Sequence, residues 1–591
     1  MEDRGASQSQ NVMTTGQPPM DEWKNIPWKK IERSVFKLQK RIYQASLQDD
    51  RRKVHRLQRL LAKSHAGRLL AVRRVTQDNQ GKKTAGVDGR KSLTPKQRLR
   101  LSKGLKLDGK AQPVRRVYIP KPGTTEKRPL GIPTITDRSK QALGKLALEP
   151  EWEARFEPNS YGFRPGRSCH DAIEAIFKCI CKQAKWVLDA DIAKCFDRIA
   201  HEPLLEKLQT FPAMRRQIRA WLKAGVMDHG ELFPTTEGSP QGGCISPLLA
   251  NIALHGLEEF LVSQFPQRPK GFYPPHVVRY ADDFVVLHKD LAIVEKCLWL
   301  TLGWLKEMGL TLKPEKTQLV HTLEAREKEP GFDFLGFHIR QYPAGKTRST
   351  QFPRGRILGF KALIKPSNKS IKRHLEKLKD TLHKNRSAEQ ELLIKILSPQ
   401  IVGWCAYFAS SVCKQVFQKI QGVLFHMLFA WAVYRHPNKG KEWIADKYWR
   451  HNDGQGWIFR PRNSTLRLPL HGATRSRRHI KVAGQRTPYD GDWLYWSTRM
   501  GREPTTPTGV ARLLKEQKGR CQECGLYFRP GDKLEIDHVR PRAHKGTDAR
   551  ENLQLLHRHC HDRKSARDRE VHMKSAMPSR SRVMGNYQAR F

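Results

Sequence analysis

Two places in this chain put carboxylates where a packed protein would not want them. The run Trp186-Val187-Leu188-Asp189-Ala190-Asp191-Ile192 is an apolar, strand-like stretch ending in acids. In Val277-Val278-Arg279-Tyr280-Ala281-Asp282-Asp283-Phe284-Val285-Val286-Leu287, two apolar runs flank a tight turn, which predicts a hairpin with adjacent acids at its tip. Asp is an ordinary turn residue, so the hairpin alone reads as structural. A third acid on another strand changes that. Three carboxylates at adjacent strand ends can hold two Mg2+ ions about 4 Å apart, which suits phosphoryl transfer to a 3′-hydroxyl. A second constellation lies near the C-terminus. Cys521-Gln522-Glu523-Cys524 faces His557-Arg558-His559-Cys560, and two such pairs fit a tetrahedral Zn2+ site of Cys521, Cys524, His557 and Cys560. His559 is kept as a substitute for His557.

The surrounding elements must place these groups. Of 591 residues, 109 are Lys or Arg and 58 Asp or Glu, a net charge of +51 spread along the whole length. A body so charged repels itself unless a polyanion supplies counter-charge, so nucleic acid is the expected partner and a membrane is not. The first twenty or so residues are polar and lack the apolar core of a signal peptide. The charge-free apolar stretches near 401–413 and 422–434 fall short of a membrane span. The eight cysteines from Cys169 to Cys413 read as reduced packing residues, which with the polar N-terminus predicts a soluble protein of a reducing compartment.

Along the chain, Trp28, Ile31, Val35, Leu38 and Ile42 recur at helical steps, and Val54, Leu57, Leu60 and Leu61 mark a second, basic helix. Arg116/Tyr118 and Val117/Ile119 alternate as a strand would before a Lys-Pro-Gly turn. Residues 140–345 mix short apolar strands with helices, as an α+β domain does. Residues 360–450 turn helical, with cations beside Trp404, Tyr407 and Trp449. Such a surface suits phosphates and stacked bases, although the aromatics alone read as core.

Seven ordered blocks then carry a resemblance. They are Lys127-Arg128-Pro129-Leu130-Gly131-Ile132-Pro133, Ser160-Tyr161-Gly162-Phe163-Arg164-Pro165-Gly166-Arg167-Ser168, the Asp189–Asp197 run, Gly238-Ser239-Pro240-Gln241-Gly242-Gly243, Tyr280-Ala281-Asp282-Asp283, Leu312-Lys313-Pro314-Glu315-Lys316-Thr317 and Phe334-Leu335-Gly336-Phe337. Together they resemble reverse transcriptases encoded by bacterial group II introns, over residues from about 25 to 575. The resemblance implies a multidomain α+β architecture: a right-hand reverse transcriptase with a helical N-terminal extension, a helical thumb, a basic DNA-binding linker and a small ββα-metal nuclease. The expected boundaries are a disordered tail at 1–22, the extension at 23–80, fingers and palm at 81–355, thumb or maturase region at 356–465, DNA-binding region at 466–512, nuclease at 513–575 and a basic tail at 576–591.

Carried over by position, Asp191, Asp282 and Asp283 are the implied Mg2+ ligands. Strand parity leaves Asp189 beside Asp191, and the family pattern chooses Asp191. Phe196 resembles the gate that excludes a ribose 2′-OH, Gln241 the residue set against nucleotide and template, and Lys316 a cation near the triphosphate. Arg116 and Lys121 resemble fingers residues that grip it. Leu534-Glu535-Ile536-Asp537-His538, Asn552 and His561 resemble an HNH nuclease site. There His538 is the implied general base, Asp537 and His561 hold one further metal ion, and Asn552 positions the loop that aims His538. The expected partners are intron RNA, double-stranded target DNA and dNTPs in the bacterial cytoplasm, with a homodimer left open. A splicing maturase with a vestigial polymerase is the rival reading, and intact acids at all three positions argue against it.

Overall fold

The computed structural model describes residues 22–120, 126–265, 273–345, 347, 349–350, 357–452 and 456–576. Lys121 and most of the two expected tails lie outside the described residues. Three helices open the chain, Trp28–Leu47, Arg51–Lys63 and His65–Arg73. Asp50 and Ser64 cap the second and third by accepting from the backbone N–H groups of Lys53 (2.9 Å) and Gly67 (3.0 Å). All three pack on the long helix Ile135–Arg155, where Gln39 and Ser46 donate to the carbonyls of Leu146 and Glu151. Trp28, Ile31, Val35 and Ile42 are buried as their spacing requires. Leu60 departs from expectation at 51% exposed, because Leu57 and Leu61 already fill the side of the helix that meets the core.

The fingers sheet runs in the order Lys127–Ile132, Val114–Pro120, Val226–Asp228, Glu231–Phe233. Tyr118 and Ile119 are both 47% exposed, so the expected alternation buries neither face at that end of the strand. The palm sheet runs His276–Tyr280, Asp283–His288, Trp186–Asp191, Gln318–His321, antiparallel throughout. Its central strands are buried on both sides, which is why they read as continuous apolar runs. Strand parity divides the two faces between two cores. Leu188, Phe284 and Val286 join the core built with the N-terminal helices, whereas Val187, Val285 and Leu287 join the core that includes the thumb.

A small sheet of Phe332–Phe334, Phe337–Pro343 and Phe360–Pro366 leads into the thumb helices Asn368–Lys384, Gln390–Phe408 and Lys414–Arg435. The last of these corrects the expectation about apolar stretches. By length and composition alone it could cross a membrane, because its cations lie near its ends; a third of its most apolar stretch is buried, and Phe417, Leu424, Leu428 and Trp431 enter the second core. The segment beyond residue 460, unresolved by pattern alone, folds back onto the palm. Asp171, fully buried, accepts from the backbone N–H of Val482 (2.8 Å) and pairs with His479 (3.1 Å) and Arg499 (2.5 Å). The last described elements are a hairpin, Leu534–His538 with Leu553–His557, followed by the helix Arg558–Ala576: a ββα unit with its own core.

Candidate active sites

The hairpin that carries Asp282 and Asp283 has its tightest pairing at Tyr280 opposite Asp283. Ala281 sits between them at φ 60°, a strained value for a residue with a side chain. The neighbouring chain holds that turn. Tyr161 donates its backbone N–H to the Arg279 carbonyl (2.9 Å), and a Cβ on Gly162 would lie 2.3 Å from the Ala281 nitrogen. Glycine at 162 is therefore a steric requirement of this turn.

Across the sheet, Asp191 is the register partner of Asp283, and Asp189 that of Val285. Asp189, Asp191 and Asp283 thus share the face whose apolar residues belong to the thumb-containing core. The two candidates on the first strand have different company. Asp189 accepts from the Gln318 amide (3.1 Å), while Asp191 is ion-paired to Lys316. Burial first, then the charges of Asp282 and Asp191, push Asp283 up to about 7. Asp282 is raised for the same first reason, and Asp189 is raised to about 6. Burial pulls Lys316 down, but its bond to Asp191 and the charges around it leave it raised. Such a site costs free energy until cations neutralise it.

The other blocks lock onto this centre. Ser239 donates its N–H to the Phe196 carbonyl (2.6 Å), and Gly131 donates to that of Gln241 (2.6 Å). A Cβ on Gly238 would meet the Asp197 backbone at 2.5 Å. The Gln241 amide nitrogen lies 3.4 Å from both Asp197 carboxylate oxygens. Phe196 meets the edge of Phe163 at 6.0 Å between ring centres. Arg116 lies on the central fingers strand, opposite Gly131. The structure thus gathers Asp191, Asp282, Asp283 and Lys316, with Phe196 and Gln241 joined to each other through the Gly-rich turn.

In the C-terminal module, Cys521, Cys524, His557 and Cys560 are buried, with one ligand atom from each all within 4.8 Å of one another. Three sulfurs and an imidazole at this spacing fit Zn2+. His557 faces Cys524 through Nδ1 (3.4 Å), and its Nε2 lies 3.4 Å from Asp532. His559 turns away toward Glu32 of the first helix (3.6 Å), which favours His557 as the fourth ligand. A second tight group, Asp171, His479 and Glu503, needs no metal, because Arg499 pairs with both carboxylates.

Asp537 and His561 approach to 3.6 Å, with Lys564 and Gln554 on the other Asp537 oxygen at 3.1 and 2.9 Å. His538 contacts Asp548 through Nε2 (2.7 Å), and Arg542 also binds Asp548. Asn552 staples the intervening loop. It donates to the carbonyls of Arg540 (3.0 Å) and Thr547 (2.7 Å) and accepts from the Arg540 N–H (2.8 Å). Asp532, Asp548 and Lys564 were not anticipated; lone charged residues in a basic stretch carry no spacing signal.

Four family models match successive parts of the chain. Residues 119–339 match the family model for reverse transcriptase (RNA-dependent DNA polymerase), and residues 23–105 that for the N-terminal domain of reverse transcriptase. Residues 371–449 match the group II intron maturase-specific domain, and residues 521–567 the HNH endonuclease. Protein YkfC of Escherichia coli is 33% identical over 353 residues, 52% of this chain and 88% of that protein. The group II intron-encoded protein LtrA of Lactococcus lactis is 30% identical over 373 residues, 50% of this chain and 60% of that protein. Maturase-like protein 1 of Euglena gracilis is 30% identical over 332 residues, covering 54% of this chain and 65% of that protein. The chain belongs to the group II intron-encoded reverse transcriptases, as an RNA-directed DNA polymerase with a maturase domain and an HNH nuclease.

Proposed function

We propose that this chain is a retrohoming protein: it binds its parent intron RNA, promotes its splicing, nicks target DNA and copies the inserted RNA from the nicked end. The observation that carries the reading is Asp191 opposite Asp283 in the palm, beside Asp282, in one chain with an HNH hairpin. We assign Asp191, Asp282 and Asp283 to hold two Mg2+ ions. When bound, these supply the charge that activates a primer 3′-hydroxyl and stabilises leaving pyrophosphate. Lys316, with Arg116 of the fingers, neutralises the triphosphate. The Phe196 ring occupies the volume a ribose 2′-OH needs, and Gln241 sets the nucleotide against the template.

In the nuclease, the contact of His538 Nε2 with the Asp548 carboxylate favours a proton on that nitrogen, which leaves Nδ1 to take the proton of the attacking water. Asp537 and His561 hold the nuclease's cation, and Asn552 fixes the loop that aims His538. Cys521, Cys524, His557 and Cys560 hold a structural Zn2+, which staples the knuckle to the hairpin. In the thumb, Lys439 and Lys447 lie 5.5 and 4.8 Å from the half-open Trp443 ring, a pairing suited to RNA phosphates and bases.

The test is a coupled reaction of purified protein, parent intron RNA, target duplex and dNTPs. Wild type should yield cDNA joined to the nicked strand. His538→Ala should lose that product yet still extend a pre-annealed primer. Joined cDNA from His538→Ala at the wild-type level would refute the assignment.

A further inference from the structure

The first helix, Trp28–Leu47, has a second side that the polymerase core does not use. Arg33, Lys37 and Arg41 recur every four residues along it, all exposed, and none forms a salt bridge among the described residues. At 1.5 Å per residue they stand about 6 Å apart and span about 12 Å. They are solvent-exposed, but not as an isolated charged stripe. They form one wall of a groove of about 440 Å³ whose other wall comes from residues 493–529, and no acidic residue lines it.

That other wall is built of arginine and aromatic rings. Phe36 of the first helix meets Trp493 edge-on at 4.3 Å between ring centres. The Arg529 guanidinium lies 4.7 Å from the Phe36 ring centre and 5.0 Å from that of Trp493. Arg520 lies 4.3 Å from the centre of the Tyr527 ring and donates to its hydroxyl (2.9 Å). Arg520 and Arg529 likewise form no salt bridge among the described residues. The rings fix both guanidinium planes; Arg529 also feels the nearby Asp532 and Glu32 carboxylates without a direct salt bridge, whereas Arg520 has no carboxylate partner among the described residues, an arrangement open to phosphate.

We propose that this groove binds one phosphate backbone of the DNA duplex presented to the nuclease. The N-terminal extension of the polymerase would then be half of the nuclease's DNA-binding surface. The proposal rests on the reading that the HNH module acts on DNA. Two features favour DNA as the occupant. The facing wall belongs to the zinc knuckle and the segment just before it, so the groove adjoins the nuclease module. The 12 Å cation row also covers the axial rise of about three to four phosphates of one duplex strand, at 3.4 Å each. Docking is firm enough for a composite site, since His559 of the knuckle reaches Glu32 and that carboxylate is itself held by Arg73 at 2.7 Å.

The experiment measures binding, without cleavage, by the full chain carrying His538→Ala with zinc retained and no added Mg2+. A fluorescent duplex and a single-stranded RNA are titrated at several salt concentrations. Replacing Arg33, Lys37 and Arg41 together by Gln should lower duplex affinity. Three lost phosphate contacts should also reduce the slope of log K against log salt by about 3. Arg520→Gln, from the opposite wall, should reduce it by about 1 more. Extension of a pre-annealed primer by the triple variant reports that the fold is intact. An unchanged duplex slope overturns the proposal, as does a loss confined to RNA. Nicking by wild type is scored separately: a protein that nicks while the triple variant binds DNA normally removes the groove and keeps the nuclease. A protein that does not nick, with the predicted slope change, removes the nuclease and keeps the groove.

Discussion

Asp283→Asn tests whether the polymerase carboxylates are electrostatically strained in the folded chain. Asp283 moves from an ordinary 3.8 to about 7, chiefly through burial and then through the charges of Asp282 and Asp191. A shift of about 3 pH units corresponds to about 4 kcal/mol. Between pH 4 and 7 the folded state holds one proton more than the unfolded state at this position. Wild-type stability should therefore fall by about 1.4 kcal/mol per pH unit over that window from this group alone and level off above it. Asparagine keeps the shape and removes the charge, so the variant should lack this term. In Mg2+-free buffer its advantage over wild type should be near zero at pH 4 and grow to about 4 kcal/mol by pH 7 to 8. Denaturant melts of both proteins from pH 4.5 to 8.5 measure it, followed on the polymerase transition. Added Mg2+ at pH 8 should stabilise wild type far more than the variant, because the variant has lost a ligand. A variant less stable than wild type across the whole range would refute the reasoning.

Zinc chelation should melt the C-terminal ββα unit and abolish nicking while primer extension survives, since its small core is closed by the four buried ligands; near-ultraviolet dichroism and the two activity assays report this. Asn552→Ala removes three hydrogen bonds from the 540–547 loop and should cut nicking about a hundredfold with extension unchanged, as measured on a labelled duplex. Asp171→Asn leaves Arg499 and His479 without their shared partner and should cost about 3 kcal/mol, read as a lower Tm and faster proteolysis within residues 475–503. Asp171 is held at about 2, so its contribution in wild type should persist at neutral pH and fade as pH falls from about 4 toward 2.

What could be read without coordinates was what spacing encodes. The acidic hairpin was legible because the apolar runs Val277-Val278 and Phe284 to Leu287 flank a short segment of turn-forming residues. The knuckle was legible because paired Cys and His ligands repeat at short, fixed intervals. Contacts between distant parts of the chain were not legible. Asp171 and Arg499 are 328 residues apart, and neither has a neighbour that announces the other. Spacing already preferred His557 to His559; what no local pattern could show is that His559 reaches Glu32 of the first helix. The strand with Tyr118 and Ile119 was legible as a strand, but alternation does not say whether a layer covers it, and at this end of the fingers none does. The row Arg33, Lys37 and Arg41 reads as a solvated face until residues 493–529 are seen standing across from it.

The central claim is that Asp191, Asp282 and Asp283 form a working polymerase centre. Primer extension on an RNA template with dNTPs and Mg2+, comparing wild type with Asp282→Ala, tests it most directly. Wild type should give robust cDNA and the variant at least about a hundredfold less, the several kcal/mol of transition-state stabilisation that a metal ligand supplies. Equal extension by the two proteins, or none by wild type, would contradict it.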